Sequence, residues 1–176
     1  MGKLIASRSA QWPLYQEFVF NFNDYAIDAV SGTKVTFGKA VTNSGTATAQ
    51  DPVTSSIVPG LTSGTGVVLD CIPMPVGAVI TGGEVLVETA YVGIGAGATL
   101  NLGIEGSTSA LISAFDLDAA LVNARQPVLL TTPFVCNGGK NVRLTLAGMT
   151  ATATAGKVRV RVQYTIDNRV NEVQVA

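Results

Sequence analysis

The sequence contains no histidine and few charged residues. Without histidine, a Ser-His-Asp triad, a Cys-His pair and a histidine-ligated zinc site are all excluded. Charged residues make up 13% of the chain, against roughly 25% in an ordinary soluble protein. A surface this poor in charge is typical of a protein that is partly covered by copies of itself or by a partner. The composition therefore favours a structural or binding protein over an enzyme.

Long apolar runs and basic clusters are also missing. The longest apolar candidate, residues 66–80, is interrupted by Asp70, Pro73 and Pro75, and a membrane helix needs about 18 continuous apolar residues. The apolar run at residues 4–6 is too short for a signal peptide. The net charge is −1, and lysine and arginine are scattered, whereas nucleic-acid-binding proteins carry basic patches. We therefore expect a protein made in a cytoplasm, with neither membrane nor nucleic acid as a partner.

Motifs for cofactors and redox groups are weak. The separation of Cys71 and Cys136 matches no metal or redox motif, so we expect reduced core thiols, with a disulfide as the alternative. Residues 93–98 match G-x-G-x-x-A, but that motif binds a dinucleotide only where a helix begins. Because residues 99–105 alternate with a period of two, we interpret residues 93–98 as a hairpin tip and expect no cofactor.

Alternation of apolar and polar residues is the dominant pattern of the chain. From Lys157 to Asp167, valine, tyrosine and isoleucine alternate without a break with arginine, glutamine and threonine. Successive side chains of a β-strand point to opposite faces, so this pattern predicts a strand with one buried face. Shorter runs of the same kind are separated by turn residues, and Gly82-Gly83 is interpreted as the turn between two of them.

The distribution of strands and turns predicts the fold class. Asp116 and Asp118 match the first two acidic positions of a calcium-binding loop, but the chain lacks the third acid and the glycine of that motif. We therefore predict that they start a short helix that ends at Val122. Many short strands with one short helix favour an all-β fold, a β-sandwich or jelly roll. We predict an extended N-terminal arm at residues 1–16 and a single β-sandwich domain at residues 17–176.

The N-terminal arm is the first candidate interaction site. Trp12, Leu14 and Tyr15 precede the first alternating run, and Pro13 holds the chain extended between them. Large apolar side chains gain little in water. We therefore expect the arm to dock, either on its own domain or on a neighbouring subunit or shell.

Four charged residues form the second candidate. Glu84 and Glu88 share one face of their predicted strand, and Arg159 and Arg161 share the polar face of the last strand. Two interpretations remain at this point. In the first, the four side chains form a solvated cross-strand ladder, in which each ion pair contributes roughly 0.2–1 kcal/mol to stability. In the second, they contact another subunit.

Three segments resemble small head proteins of tailed bacteriophages. They are CIPMPVGAVITGGEVLVET at Cys71–Thr89, FDLD at Phe115–Asp118 and GKVRVRVQYTIDNRVNE at Gly156–Glu172. The resemblance implies a capsid decoration (cement) protein, a β-sandwich that clamps neighbouring subunits of the major capsid protein on the exterior of the virion. It also implies self-association. We favour a homotrimer, because local threefold positions suit a small clamp, and keep a dimer as the alternative.

Other functions remain as alternatives. A phage tail or neck component is the alternative within a virion. A carbohydrate-binding β-sandwich module would need exposed aromatic side chains, and the candidates are Trp12, Tyr25, Tyr91 and Tyr164, of which Tyr164 is expected to be buried. A hydrolase is the third alternative. We predict no catalytic, cofactor-binding or metal-binding residue.

Overall fold

The computed structural model describes residues 13–29, 34–38, 67–130, 134–136 and 140–166. Within these ranges the regular elements are all β-strands. They are β1 (Leu14–Asn21), β2 (Tyr25–Ile27), β3 (Lys34–Thr36), β4 (Val67–Ile72), β5 (Ala78–Val92), β6 (Thr99–Ile104), β7 (Ser107–Asp116), β8 (Arg125–Pro127), β9 (Phe134–Cys136), β10 (Val142–Ala147) and β11 (Ala155–Ile166).

Two antiparallel sheets pack against each other. The first sheet has the strand order β1-β11-β5-β8, and β9 also pairs with β5. The second sheet has the order β4-β10-β6-β7, and β2 and β3 form a small ribbon beside it. The ribbon is joined to β4 by a bridge between Asp28 and Leu69. The prediction of an all-β sandwich is confirmed.

The core lies between the inward faces of the two sheets. Every second residue of β11 from Val158 to Tyr164 is buried, as the period-two pattern predicts. Buried side chains of both sheets form one hydrophobic cluster that includes Val85, Val87, Leu100, Leu102, Leu144, Leu146, Val158, Val160 and Val162. At one side of this cluster, the ring of Phe20 stacks on Phe37 with centroids 4.4 Å apart.

The predicted helix at Asp116–Val122 is wrong, because Asp116 ends β7 and the residues that follow it form bends and a turn. Asp116 Oδ1 accepts hydrogen bonds from the N–H groups of Asp118 and Ala119, both at 3.0 Å. Ala124 N–H donates to Leu121 O at 3.0 Å. The aspartate therefore closes a local turn, as aspartate does in many loops. Asn123 N–H donates to Val87 O at 2.8 Å, so this backbone group bonds β5 and not a helix.

Two predicted turns also have different structures. Gly82 and Gly83 lie inside β5, which continues to Val92. Gly83 has a φ of +145°, and a Cβ atom there would lie 2.3 Å from Arg161 O. The pair therefore allows close contact with β11 where the register shifts, which is the other common use of glycine in strands. Residues 93–98 link β5 to β6 and therefore cross between the sheets instead of forming a hairpin tip.

Candidate functional site

The outward face of the first sheet carries a group of charged side chains that we call the charged face. Its members are Glu17 on β1, Glu84 and Glu88 on β5, Arg125 on β8, and Lys157, Arg159 and Arg161 on β11. The inward neighbours of the β11 residues are buried valines. Strand alternation therefore holds the three basic residues of β11 in a row on the outward side.

Arg159 lies at the centre of the charged face. Its Nε donates to Glu88 Oε1 at 2.6 Å, and its Nη1 donates to Glu17 Oε2 at 3.1 Å. Lys157 Nζ lies 2.8 Å from Glu88 Oε2. Because Glu17 and Glu88 belong to the strands on either side of β11, one guanidinium connects three neighbouring strands.

Arg161 repeats this arrangement one step along β11. Its Nε donates to Glu17 Oε1 at 2.6 Å, and its Nη1 lies 3.9 Å from Glu84 Oε1. Glu84 also accepts hydrogen bonds from Arg125 Nη1 on β8, at 2.8 and 2.7 Å. The ion pairs therefore extend without interruption from β1 to β8.

The electrostatics of the charged face favour the ionised forms. Hydrogen bonds from Lys157 and then from Arg159 lower the pKa of Glu88 from its ordinary value of 4.5. The hydrogen bond to Glu88 is also the largest cause of the raised pKa of Arg159. These side chains are already paired within the chain, so the face is a fixed polar surface and not a set of free charges.

The structure brings Glu84, Glu88, Arg159 and Arg161 together in cross-strand ion pairs. Their contact with another subunit stays a prediction. Sequence reasoning missed Glu17, Arg125 and Lys157. Glu17 and Lys157 each lie in alternating runs and could have been found by period, whereas Arg125 lies in a strand of three residues that carries no periodic signal.

The predicted arm residues have different positions. Trp12 lies outside the described residues. Leu14 and Tyr15 lie in β1, opposite Tyr164 and Gln163 of β11. Leu14 packs partly buried against the core, whereas Tyr15 remains 57% exposed beside the charged face.

The tyrosines considered for carbohydrate binding are unevenly exposed. Tyr91 and Tyr164 are buried, which confirms the expectation for Tyr164, and Tyr25 is exposed. Lys34 Nζ lies 3.4 Å from the centroid of the Tyr25 ring, so one face of that ring already holds a cation.

Both cysteines are free thiols. Cys71 Sγ donates to Val142 O at 3.3 Å, and burial of the sulfur raises the pKa of this thiol to about 12. Burial also raises the pKa of Cys136. A thiol with a raised pKa holds little reactive thiolate at neutral pH.

The described ranges contain neither a metal-binding group of side chains nor a membrane-spanning helix. There, no three Cys, Asp or Glu side chains are grouped so that they could hold a metal ion. None of these residues forms a helix long and apolar enough to cross a membrane.

Comparisons with known proteins identify relatives of the fold. No family model and no curated protein matches the chain. Among solved structures, it is similar to a chain of the cyanophage Pam1 capsid asymmetric unit, with a TM-score of 0.53, 19% identity and coverage of 94% of both chains. It is also similar to a chain of the acidic stable capsid of Helicobacter pylori bacteriophage KHP30, with a TM-score of 0.51, 12% identity and coverage of 88% of this chain and 87% of the other. At these identities the comparisons establish a shared fold.

Proposed function

We propose that this chain is a non-enzymatic structural protein of a bacteriophage capsid. The observation that carries the proposal is the shared fold, which covers 94% of this chain and 94% of a chain from a phage capsid asymmetric unit. A second phage capsid has a chain of the same fold. The segments at residues 71–89, 115–118 and 156–172 support the same class through their resemblance to phage head proteins.

Within that class, we propose a decoration protein on the exterior of the shell that clamps neighbouring major capsid protein subunits. Such a protein needs a rigid body and many weak contacts that symmetry repeats. The charged face supports this role, because Arg159 connects β1 and β5 across β11 through Glu17 and Glu88. Exposed Tyr15 lies next to this surface. We assign contacts with capsid or neighbouring subunits to Trp12, Leu14 and Tyr15 and to the charged face.

Gold-labelled antibodies against the purified chain test this assignment on virions from cells that produce it. A decoration protein labels intact heads. Labelling of tails or necks favours the alternative of a tail or neck component. Heads that are labelled only after disruption place the chain inside the shell and contradict the decoration role. Virions that do not contain the chain contradict the capsid proposal, and antibody pre-adsorbed with the protein is the control.

A further inference from the structure

The outer strand of the first sheet, β1, has backbone groups that point away from the sheet. Phe22 N–H donates to Gly156 O at 2.9 Å, next to the pair formed by Asn21 and Lys157. Residues of an antiparallel pair alternate between bonding their partner strand and facing away from it. The even-numbered residues of β1 therefore bond β11, and Tyr15, Glu17, Val19 and Asn21 face the free edge.

In the described part of the chain, Asp24 closes this free edge at its end. Asn21 N–H donates to Asp24 Oδ2 at 2.7 Å, and Asp24 N–H donates to Asn21 O at 3.1 Å. Within the described part of the chain, no hydrogen bond from another strand reaches the free edge at Tyr15, Glu17 or Val19. Among the described residues, the N–H and C=O groups of these three positions are therefore available for pairing with another strand.

The outer strands of the second sheet are protected. On β4, Val68 N–H donates to Asp28 Oδ1 at 2.8 Å, and Val68 O accepts a hydrogen bond from Ala29 N–H. On β7, the register shifts twice, and Ala114 has a φ of 50° with its N–H donating to Asn101 Oδ1. Coverage by other segments and bulges are two of the devices that prevent unwanted strand pairing.

The opposite edge of the first sheet is protected as well. It is covered by the three-residue strands β8 and β9, and β8 ends at Pro127. By contrast, β1 has the sequence LYQEFVFN, with neither proline nor lysine, and its pairing with β11 is continuous over all its residues. Its one charge, Glu17, is held by Arg159 and Arg161 of its own chain. This is the type of edge that accepts another strand.

We propose that the free edge of β1 pairs antiparallel with the β1 strand of a second copy, about a twofold axis at Glu17. The three available residues are symmetric about Glu17, so this register uses all of them and forms about six hydrogen bonds, two for each pair. It places Tyr15 opposite Val19 of the second copy, an aromatic and β-branched pair of the kind that stabilises sheets.

The two Glu17 side chains meet at the axis. Like charges in this position normally destabilise a sheet, but each carboxylate is already held by two arginines. A twofold contact uses one copy of the same surface from each chain. The geometry therefore favours the dimer over the trimer, and it does so whether or not the protein belongs to a capsid.

The mass in solution tests the proposal. We expect the intact protein to be a dimer in a concentration series up to about 100 µM, a range that reveals even weak association. Val19→Lys places a charge at the free edge and should weaken the dimer about tenfold or more. Val76→Lys is the matched control, because Val76 is 72% exposed in a loop, and it should leave the dimer unchanged.

Cysteine crosslinking tests the register and does not depend on the folding of the lysine variant. In a hydrogen-bonded pair the Cα atoms lie about 5.5 Å apart, within disulfide range, so Glu17→Cys should form a linked dimer on mild oxidation. Val19→Cys should not, since Val19 lies opposite Tyr15 of the second copy, and neither should the intact chain. A monomer at all concentrations, a trimer, or a dimer that Glu17→Cys does not crosslink would overturn the proposal.

Discussion

The two sheets share one core but present different surfaces and edges. The first sheet carries the charged face, in which Arg159 and Arg161 connect acids on both neighbouring strands. Among the described residues of the second sheet, the ion pair is that of Arg143 with Asp70, at 2.7 Å. In the second sheet, Asp28 and Ala29 bond the outer edge of β4 at Val68, and register shifts interrupt β7. Among the described residues, no other strand bonds the outer edge of β1. From this comparison we propose that the second sheet mainly supports the fold and that the first meets other chains.

Truncation of a core side chain in the second sheet should have the largest effect on stability. Leu144 is fully buried, so Leu144→Ala should lower the free energy of unfolding by about 2–5 kcal/mol through lost burial and a cavity. Unfolding in urea measures this loss. Leu129→Ala is the matched control, since Leu129 is 76% exposed and should change stability by less than about 0.5 kcal/mol. Similar losses in the two variants would show that the core does not lie between the sheets as described.

Opening the edge of β4 should have the next largest effect. Asp28→Ala removes the acceptor of Val68 N–H, and a buried donor without a partner costs about 1–3 kcal/mol. Asp28→Asn keeps an acceptor oxygen and should retain most of the stability. Chemical unfolding compares the two variants. Equal losses would mean that the hydrogen bond to β4 is not what closes this edge.

Ion pairs on the charged face should contribute less to stability than the buried hydrogen bond of Asp28. A double-mutant cycle on Glu17 and Arg161 should give a coupling of about 0.2–1 kcal/mol, because both side chains are partly exposed. The coupling should decrease as salt is added. The same cycle on Asp70 and Arg143 provides the comparison from the second sheet. A coupling between Glu17 and Arg161 that salt does not change would contradict their pairing at a solvated surface.

Ionisation of Glu88 should have the smallest effect on stability. Because the pKa of Glu88 is lowered in the folded protein, its ionised form stabilises the fold. This contribution is complete above about pH 4.5 and is lost as the pH falls through the lowered pKa. Glu88→Gln should therefore lower the melting temperature slightly near neutral pH, and the difference should vanish in acid. Glu105→Gln, at an exposed turn, is the control. If the difference in melting temperature between Glu88→Gln and the intact protein grew in acid, ionised Glu88 would not stabilise the fold.

The local sequence pattern predicts some strands and buried faces, but it does not predict the ion pairs between distant residues or the roles of two turn signals. The alternation around Val160 predicted both β11 and its buried face, since period two follows directly from strand geometry. The pairing of Arg159 with Glu17 could not be predicted, because it joins residues 142 positions apart and depends on strand order. Gly82-Gly83 was misassigned because a glycine pair signals either a turn or a close approach within a strand. Asp116 was misassigned because an aspartate closes a turn and starts a helix by the same hydrogen bonds.

Hydrogen–deuterium exchange tests most directly whether the first sheet meets other chains. Residue-resolved exchange should be compared between the dilute protein and the protein associated with itself or with capsids. We expect the amides of Tyr15, Glu17 and Val19 to exchange rapidly in the dilute protein and to become protected on association, while β4 and β7 stay unchanged. Protection that arises in β4 or β7 and leaves β1 unchanged would contradict this interpretation.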